Sequence, residues 1–467
     1  MNGSNNFEFT SKLRNLFLGM LVIGVVLVVI GMVTGTSMDR FWSNYLHNTI
    51  FFLGISVLAV FFLAAHQIAM AGWHITVKRI PEAISQFSLY GAILMLVVIV
   101  GIWAGYHHLY EHWTDDFVTH KEVTLDELKE YEAEHGAGHG GHGKDYNRTW
   151  QDFQYHQTPE VAHHDDAHAA EHTTAHVEPV ANENGMVENP HYDRLIDGKS
   201  AYLNKPFWTI RSLAYLILWV WVAIVLRRYS LREDLDGTQA WYQKTRTWAA
   251  VFLIIWAVTS STMTWDWVMS LDPHWYSTLF GWYNFISLFI ASICTTILIL
   301  IYLKRQGHMP QLNENHLHDL GKYAFGFSVF WTYLWFSQFM LYWYGNIPEE
   351  TRWWLDRART DYRGLFYANL LLNFLFPFLT LMRRDAKRNM TVLTIVAAGL
   401  ILTHWLDFYM MITPATLGDD WGFGLLEIGM FVAFAGGFLF VVFRELTKAA
   451  LIPEKHPMYR ESLDHHI

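Results

Sequence analysis

The stretch ILTHWLDFYM, residues 401–410, sets a histidine and a carboxylate inside an otherwise apolar run. His404 and Asp407 are three residues apart, which on a helix puts them on one face. A charge at the centre of a bilayer costs about 2.5–3.5 kcal/mol on insertion scales. Two chemistries and one structural reading suit such a pair. A quinone exchanges two protons with its electrons, and a histidine beside a carboxylate supplies a titrating donor and acceptor for its ring oxygens. Chains of Asp, Glu and His also relay protons across membranes. The third reading is structural: charges that tie helices together.

Four more ionisable groups lie in apolar runs: Arg211 in FWTIRSLAY, Asp266 in TMTWDWVMS, Glu427 in GLLEIGM and His66 in LAAHQIA. With the orientation argued below, Arg211, Asp266, His404, Asp407 and Glu427 fall in the outer half of the membrane, and His66 near the inner face. At about 1.5 Å per residue, His404 lies roughly 12 Å below the outer end of its helix and Asp407 roughly 7 Å. Glu427 is expected about two turns into its span. A shared depth band points to one outer-half centre, either a proton path or a quinone site. The structural alternative pairs Arg211 with Asp266 or with Glu427. Thr259, Ser260, Ser261, Asn369, Asn373, Ser337 and Gln338 read as helix-packing groups. No catalytic residue and no metal-ligand set is assigned.

The elements that must position these groups are membrane helices. The chain of 467 residues is 52% hydrophobic and 16% aromatic, with 16% charged residues, against about 25% in soluble domains. Ten apolar segments are each near the roughly 20 residues that cross a bilayer. They lie near 15–34, 46–70, 87–106, 207–226, 248–264, 278–303, 323–344, 365–382, 390–412 and 422–443. Lys12 and Arg14 precede a first run too long for a cleaved signal, so it reads as a retained span. Pro377 is expected to kink the eighth. Lysine and arginine gather at both ends and in every second connection: Lys78/Arg79, Arg227/Arg228/Arg232, Lys304/Arg305/Lys322, Arg383/Arg384/Lys387/Arg388 and Arg444/Lys448. The positive-inside rule then puts both termini in the cytoplasm.

The chain therefore divides into helices 1–3 (1–106), an outer loop (107–206), helices 4–10 (207–443) and a cytoplasmic tail (444–467). The loop holds 14 of the 25 histidines, including the tracts GAGHGGHG and HHDDAHAAEHTTAH, and its acids outnumber Lys and Arg by 20 to 7. Such tracts bind metal in some proteins and are plain solvated chain in others. With the HxxD pair at 404–407 they raise a competing reading, a divalent-metal transporter. Within the loop, VTLDELKEYEAEH predicts a short helix capped by Thr124, with Glu127 at the third position. The single cysteine, Cys294, forms no disulfide within the chain and cannot hold an iron–sulfur cluster. The embedded histidines, His66 and His404, lie at opposite depths, unlike the four paired ligands of a two-haem membrane cytochrome. No GxxxxGKS/T phosphate loop occurs.

Several long stretches carry a resemblance: NKPFWTIRSLAYLILWVWVAIVLRRYSLRED (204–234), DWVMSLDPHWYSTLFGWY (266–283) and HLHDLGKYAFGFSVFWTYLWFSQFMLYWYGNIPEETRWW (316–354). They resemble the ActF-type second large membrane subunit of bacterial alternative complex III, a quinol:cytochrome c or quinol:oxidase oxidoreductase. Its membrane subunits are similar to the NrfD/polysulfide reductase family. The resemblance covers about 40–450. It implies an all-α fold of two four-helix bundles with flanking helices, here spans 2–5 and 6–9, in the bacterial inner membrane. An echo between FFLGISVLAVFF in span 2 and WYNFISLFIASI in span 6 fits two such halves. The resemblance implies that this chain binds no redox cofactor, with a bound quinol an open question. Haem c and iron–sulfur clusters would sit in partners: an iron–sulfur/molybdopterin-like subunit, multihaem and monohaem cytochromes c, and a second NrfD-like subunit. A terminal oxidase is a further expected partner.

Overall fold

The computed structural model describes residues 7–135 and 185–465. Both His-rich tracts lie outside the described residues. The chain is an all-α integral membrane protein. Its long helices are α1 (Ser11–Val33), α2 (Met38–Ile68), α3 (Phe87–Ala104), α4 (Lys205–Asp236), α5 (Gln239–Trp267) and α6 (Phe280–Arg305). They continue as α7 (Glu314–Gly345), α8 (Arg363–Leu381), α9 (Met390–Leu417) and α10 (Leu425–Leu446).

Among the described residues, nine helices are long and apolar enough to cross a membrane, and α7 is not one of them. At 32 residues α7 is long enough. What lowers its hydropathy is Trp, Tyr, Ser and Gln, and Ser328, Trp331, Trp335 and Gln338 are all buried. These four face other helices, whereas Tyr333, Trp343 and Tyr344 are exposed.

Three of the boundaries that differ from the sequence reading matter most here. α2 starts at Met38 rather than 46, so Arg40 belongs to a helix and not to a connection. α5 is extended at its polar start, QAWYQKTRT. α10 starts at Leu425, which places Glu427 in the first turn instead of two turns in. The eighth span is distorted as Pro377 predicts. A π turn over Leu371–Leu375 ends two residues before the proline. Proline lacks an N–H, and its ring crowds the carbonyl four residues back, here that of Asn373. Widening the helix relieves that crowding.

Helices α2, α3, α4 and α5 pack as one ring and α6, α7, α8 and α9 as a second. The rings meet where α2 lies against α6 and α9, and α5 against α6. α2 and α6 are the most enclosed of the nine apolar helices, which is where the sequence echo falls. At Gly54 a Cβ would stand 2.6 Å from the Leu288 methyls, so any larger residue makes Leu288 shift. α1 and α10 flank the rings as a close pair.

Both described ends lie on one face. Phe7 packs on His308 and Phe443. At the other end, Ser462 Oγ accepts from the Thr76 N–H at 3.0 Å, and the carbonyl of His465 accepts from Asn313 at 3.0 Å. This tail face is opposite the loop face, where β1 (Glu122–Thr124) pairs antiparallel with β2 (Met186–Glu188). The short helix Leu125–His135 follows β1, and its cap is reciprocal, as its sequence predicts. The Glu127 N–H donates to Thr124 Oγ1 at 3.2 Å, and Glu127 Oε2 accepts from the Thr124 N–H at 2.8 Å.

Candidate functional site

The five outer-half residues do not form one constellation. They are divided among three centres, two closed by a pair of helices each and the third by four.

In the first ring Arg211 of α4 meets Asp266 of α5. The contact is bidentate, Nε to Oδ2 at 2.9 Å and Nη2 to Oδ1 at 2.7 Å. Tyr215 adds a third donor to the carboxylate at 2.7 Å, and the guanidinium lies over the Tyr202 ring at 3.8 Å. A fork-to-fork pair with stacked aromatics is a saturated unit that ties two helices.

Glu427 does not pair with Arg211. Its partner is Arg40 of α2, again bidentate, at 2.7 and 2.8 Å. Asn44 donates to the same carboxylate at 3.1 Å, and the Gly424 N–H does so at 2.7 Å. The last bond caps α10, and a carboxylate at a helix N-terminus also meets the favourable end of the dipole.

The third centre lies inside the second ring. Asp407 is 1% exposed and His404 0%. Four donors from three helices converge on the Asp407 carboxylate. Tyr283 and Ser287 of α6 donate at 2.5 and 2.9 Å, Trp331 Nε1 of α7 at 2.9 Å, and Asn369 of α8 at 2.7 Å. An ionised carboxylate has about four lone-pair sites, so this one is filled. Ser287 Oγ also lies 3.0 Å from His404 Nδ1. Serine has one hydroxyl proton, and it is directed to Asp407. His404 Nδ1 must therefore carry the hydrogen and donate to Ser287, which leaves Nε2 as a bare acceptor. Nε2 is buried with no hydrogen-bond partner among the described residues. The two residues of the opening motif thus meet through Ser287, with their closest N and O atoms 4.0 Å apart.

A polar chain leads from this centre toward the tail face. Asn369 Oδ1 accepts from Asn373 at 2.6 Å, and Thr403 Oγ1 donates to Asn373 Oδ1 at 2.6 Å. Asn373 lies in the π turn, and such wide turns recur at functional sites. One turn outward of Asp407, Arg357 donates to the carbonyls of Met410 and Met411 at 2.8 and 3.1 Å. Arg357 comes from the short loop-face helix Pro348–Ala358. Burial pushes its guanidinium down to about 10, still charged at neutral pH. A loop-face groove of about 470 Å³ is lined by Phe339, Tyr342, Trp354 and Tyr367 among others, and neither His404 nor Asp407 borders it.

His66 stands apart, at the tail-face end of α2, where its Nε2 lies 3.1 Å from the Tyr323 hydroxyl.

Sequence reasoning missed Arg40, Arg357 and a buried charge network at the tail end of the first ring. There Glu82 takes Arg79 at 2.6 Å, Arg227 at 2.5 Å and Ser230 at 2.5 Å, while Lys78 lies 3.7 Å from Glu233. Lys78, Arg79 and Arg227 were read only as orientation signals. Glu82, one turn on in KRIPEA, was the available clue, since i, i+3 and i, i+4 neighbours share a face.

Fold and centres together define a multi-pass α-helical membrane protein with a buried carboxylate–hydroxyl–imidazole unit and two structural arginine–carboxylate locks. No protein-family model matches the chain, and no curated protein matches it.

Proposed function

We propose that this chain is the ActF-like membrane subunit of a quinol-oxidising complex of the alternative complex III type, in a bacterial inner membrane. In this reading haem c and iron–sulfur carriers belong to partner chains on the loop face, and this chain holds a protonatable centre for them. The observation that carries it is the Asp407–Ser287–His404 unit with its bare imidazole nitrogen. His404 Nε2 takes a proton, and the resulting imidazolium is offset by the carboxylate across Ser287. Release returns the unit to its resting tautomer. Asp407 has no lone pair left for a quinol hydroxyl, and neither it nor the bare Nε2 of fully buried His404 borders the loop-face groove, which favours proton holding over a quinone edge. A metal ion would have to displace the same four donors, so the transporter reading is the weaker one.

The test tags the C-terminus, extracts in mild detergent, stains a native gel for haem and identifies the chains in the band. The expected band is large and haem-positive, with an iron–sulfur chain and a second NrfD-like chain. Ser287→Ala is expected to assemble normally, yet lose at least tenfold in quinol turnover and shift its pH profile. A lone haem-free band would overturn the complex. Unchanged turnover in both Ser287→Ala and Asp407→Asn would make the unit structural.

A further inference from the structure

At the tail-face end of α7 a groove of about 560 Å³ opens beside Trp73, Tyr323 and His465 and runs past Gly326, Phe327 and Phe330. Its volume is within the 300–1,000 Å³ range of small-molecule sites. Its polarity is graded. Asp319, Lys322 and His465 form one end, the aromatic rings the middle, and Gly326 and Phe330 the apolar end one to two turns deeper along α7. We propose that this groove binds an isoprenoid quinone, with the ring among Trp73, Tyr323 and His465 and the chain along Gly326–Phe330.

Three observations choose a flat ring with exchangeable hydrogen bonds. First, the walls are planar and aligned. Trp73 stacks toward Tyr323 at 25° and 6.3 Å and toward His465 at 29° and 6.1 Å, and Tyr323 stacks on Phe327 at 7° and 5.9 Å. Second, the hydrogen-bonding groups are backed by titratable partners. His465 Nε2 lies 2.7 Å from Asp319 Oδ2. His66 Nδ1 is 2.8 Å from the Phe62 carbonyl, so it carries the hydrogen and its Nε2 accepts from Tyr323. The lone pairs of the Tyr323 oxygen then remain to accept from a ring hydroxyl. His66, which the outer centres leave unused, becomes the group that orients Tyr323. Third, the polar end is not a phosphate trap. Its one lysine, Lys322, is already 2.5 Å from Asp319, whereas anionic lipid headgroups are held by clusters of Lys and Arg. The groove is on the opposite face from the loop and stands on its own geometry, so it does not depend on the proton reading of Asp407.

The experiment uses the full chain in mild detergent with a photoreactive azidoquinone bearing a ten-carbon tail. After irradiation the labelled peptides are mapped by mass spectrometry. Label is expected on segments 70–78, 316–330 and 459–465. A Cβ at Gly326 meets nothing within 4 Å, so Gly326→Trp fills the groove without touching the core, and label there should fall at least tenfold. Gly19→Trp, at an equally open position on α1, should label as the parent does. Tyr323→Phe should lose severalfold. The proposal is overturned by label confined to other peptides, or by equal label in Gly326→Trp. It is also overturned if an azido-phospholipid labels these segments while the azidoquinone does not.

Discussion

Pro414 interrupts the hydrogen-bond ladder of α9, because it has no N–H to offer the Met410 carbonyl four residues back. Arg357 fills that vacancy from outside the helix, donating through Nε at 2.8 Å while its guanidinium rests 3.6 Å from the centre of the Trp353 ring. Replacing Arg357 with Ala is expected to strand the carbonyl, at about 1–3 kcal/mol for an unsatisfied buried acceptor, and to lose the ring contact as well. Pro414→Ala restores an N–H to the ladder. Thermal unfolding in detergent should therefore place the double variant R357A/P414A closer to the parent than R357A alone, with a coupling of about 0.5–2 kcal/mol. Strict additivity would show that Arg357 does not serve this carbonyl. At this scale the sequence was informative about His404 and Asp407, because ionisable groups stand out against an apolar run. It was silent about Arg357, which lies in a charged stretch that also reads as an ordinary connection.

The pairing of α1 with α10 depends on positions where no side chain fits. A Cβ on Gly24 would lie 2.3 Å from the Ala433 backbone nitrogen, and one on Gly436 would lie 2.6 Å from the Leu21 nitrogen. Small residues let membrane helices approach closely enough for dispersion contacts to hold them, since lipid supplies no hydrophobic drive between helices. Gly24→Leu should force the pair apart and lower stability by more than the roughly 1–3 kcal/mol usual for an overpacked core. Gly19→Leu, on the same helix in open space, should leave the unfolding midpoint unchanged. Equal midpoints for the two variants would remove the close pairing. The spans themselves were legible from hydropathy. The weakest match was α7, whose buried Ser328, Trp331, Trp335 and Gln338 depress its apolar score although they face protein.

Orientation belongs to the whole molecule. Both described ends share the tail face, and the basic residues collect there, so the tail is expected in the cytoplasm and the loop outside. Cys294 is buried and gives a silent background. Asp126→Cys on the loop face should react with a membrane-impermeant maleimide in intact cells, and Lys448→Cys only after permeabilisation. The reverse pattern would invert the topology. The sequence by itself determined the solvent and nine of its ten expected spans, because hydropathy is a sum over local residues, and its charge bias sets the sidedness to expect. It also suggested two similar halves. Only the tertiary structure decided which charges meet. Glu427 went to Arg40, 387 residues away in the chain, and not to Arg211. Asp407 and His404 turned out to be joined by Ser287 from a different helix. A bilayer fixes the depth of each charge, but the packing of helices around their axes chooses its partner, and that rotation is not a property of any one segment.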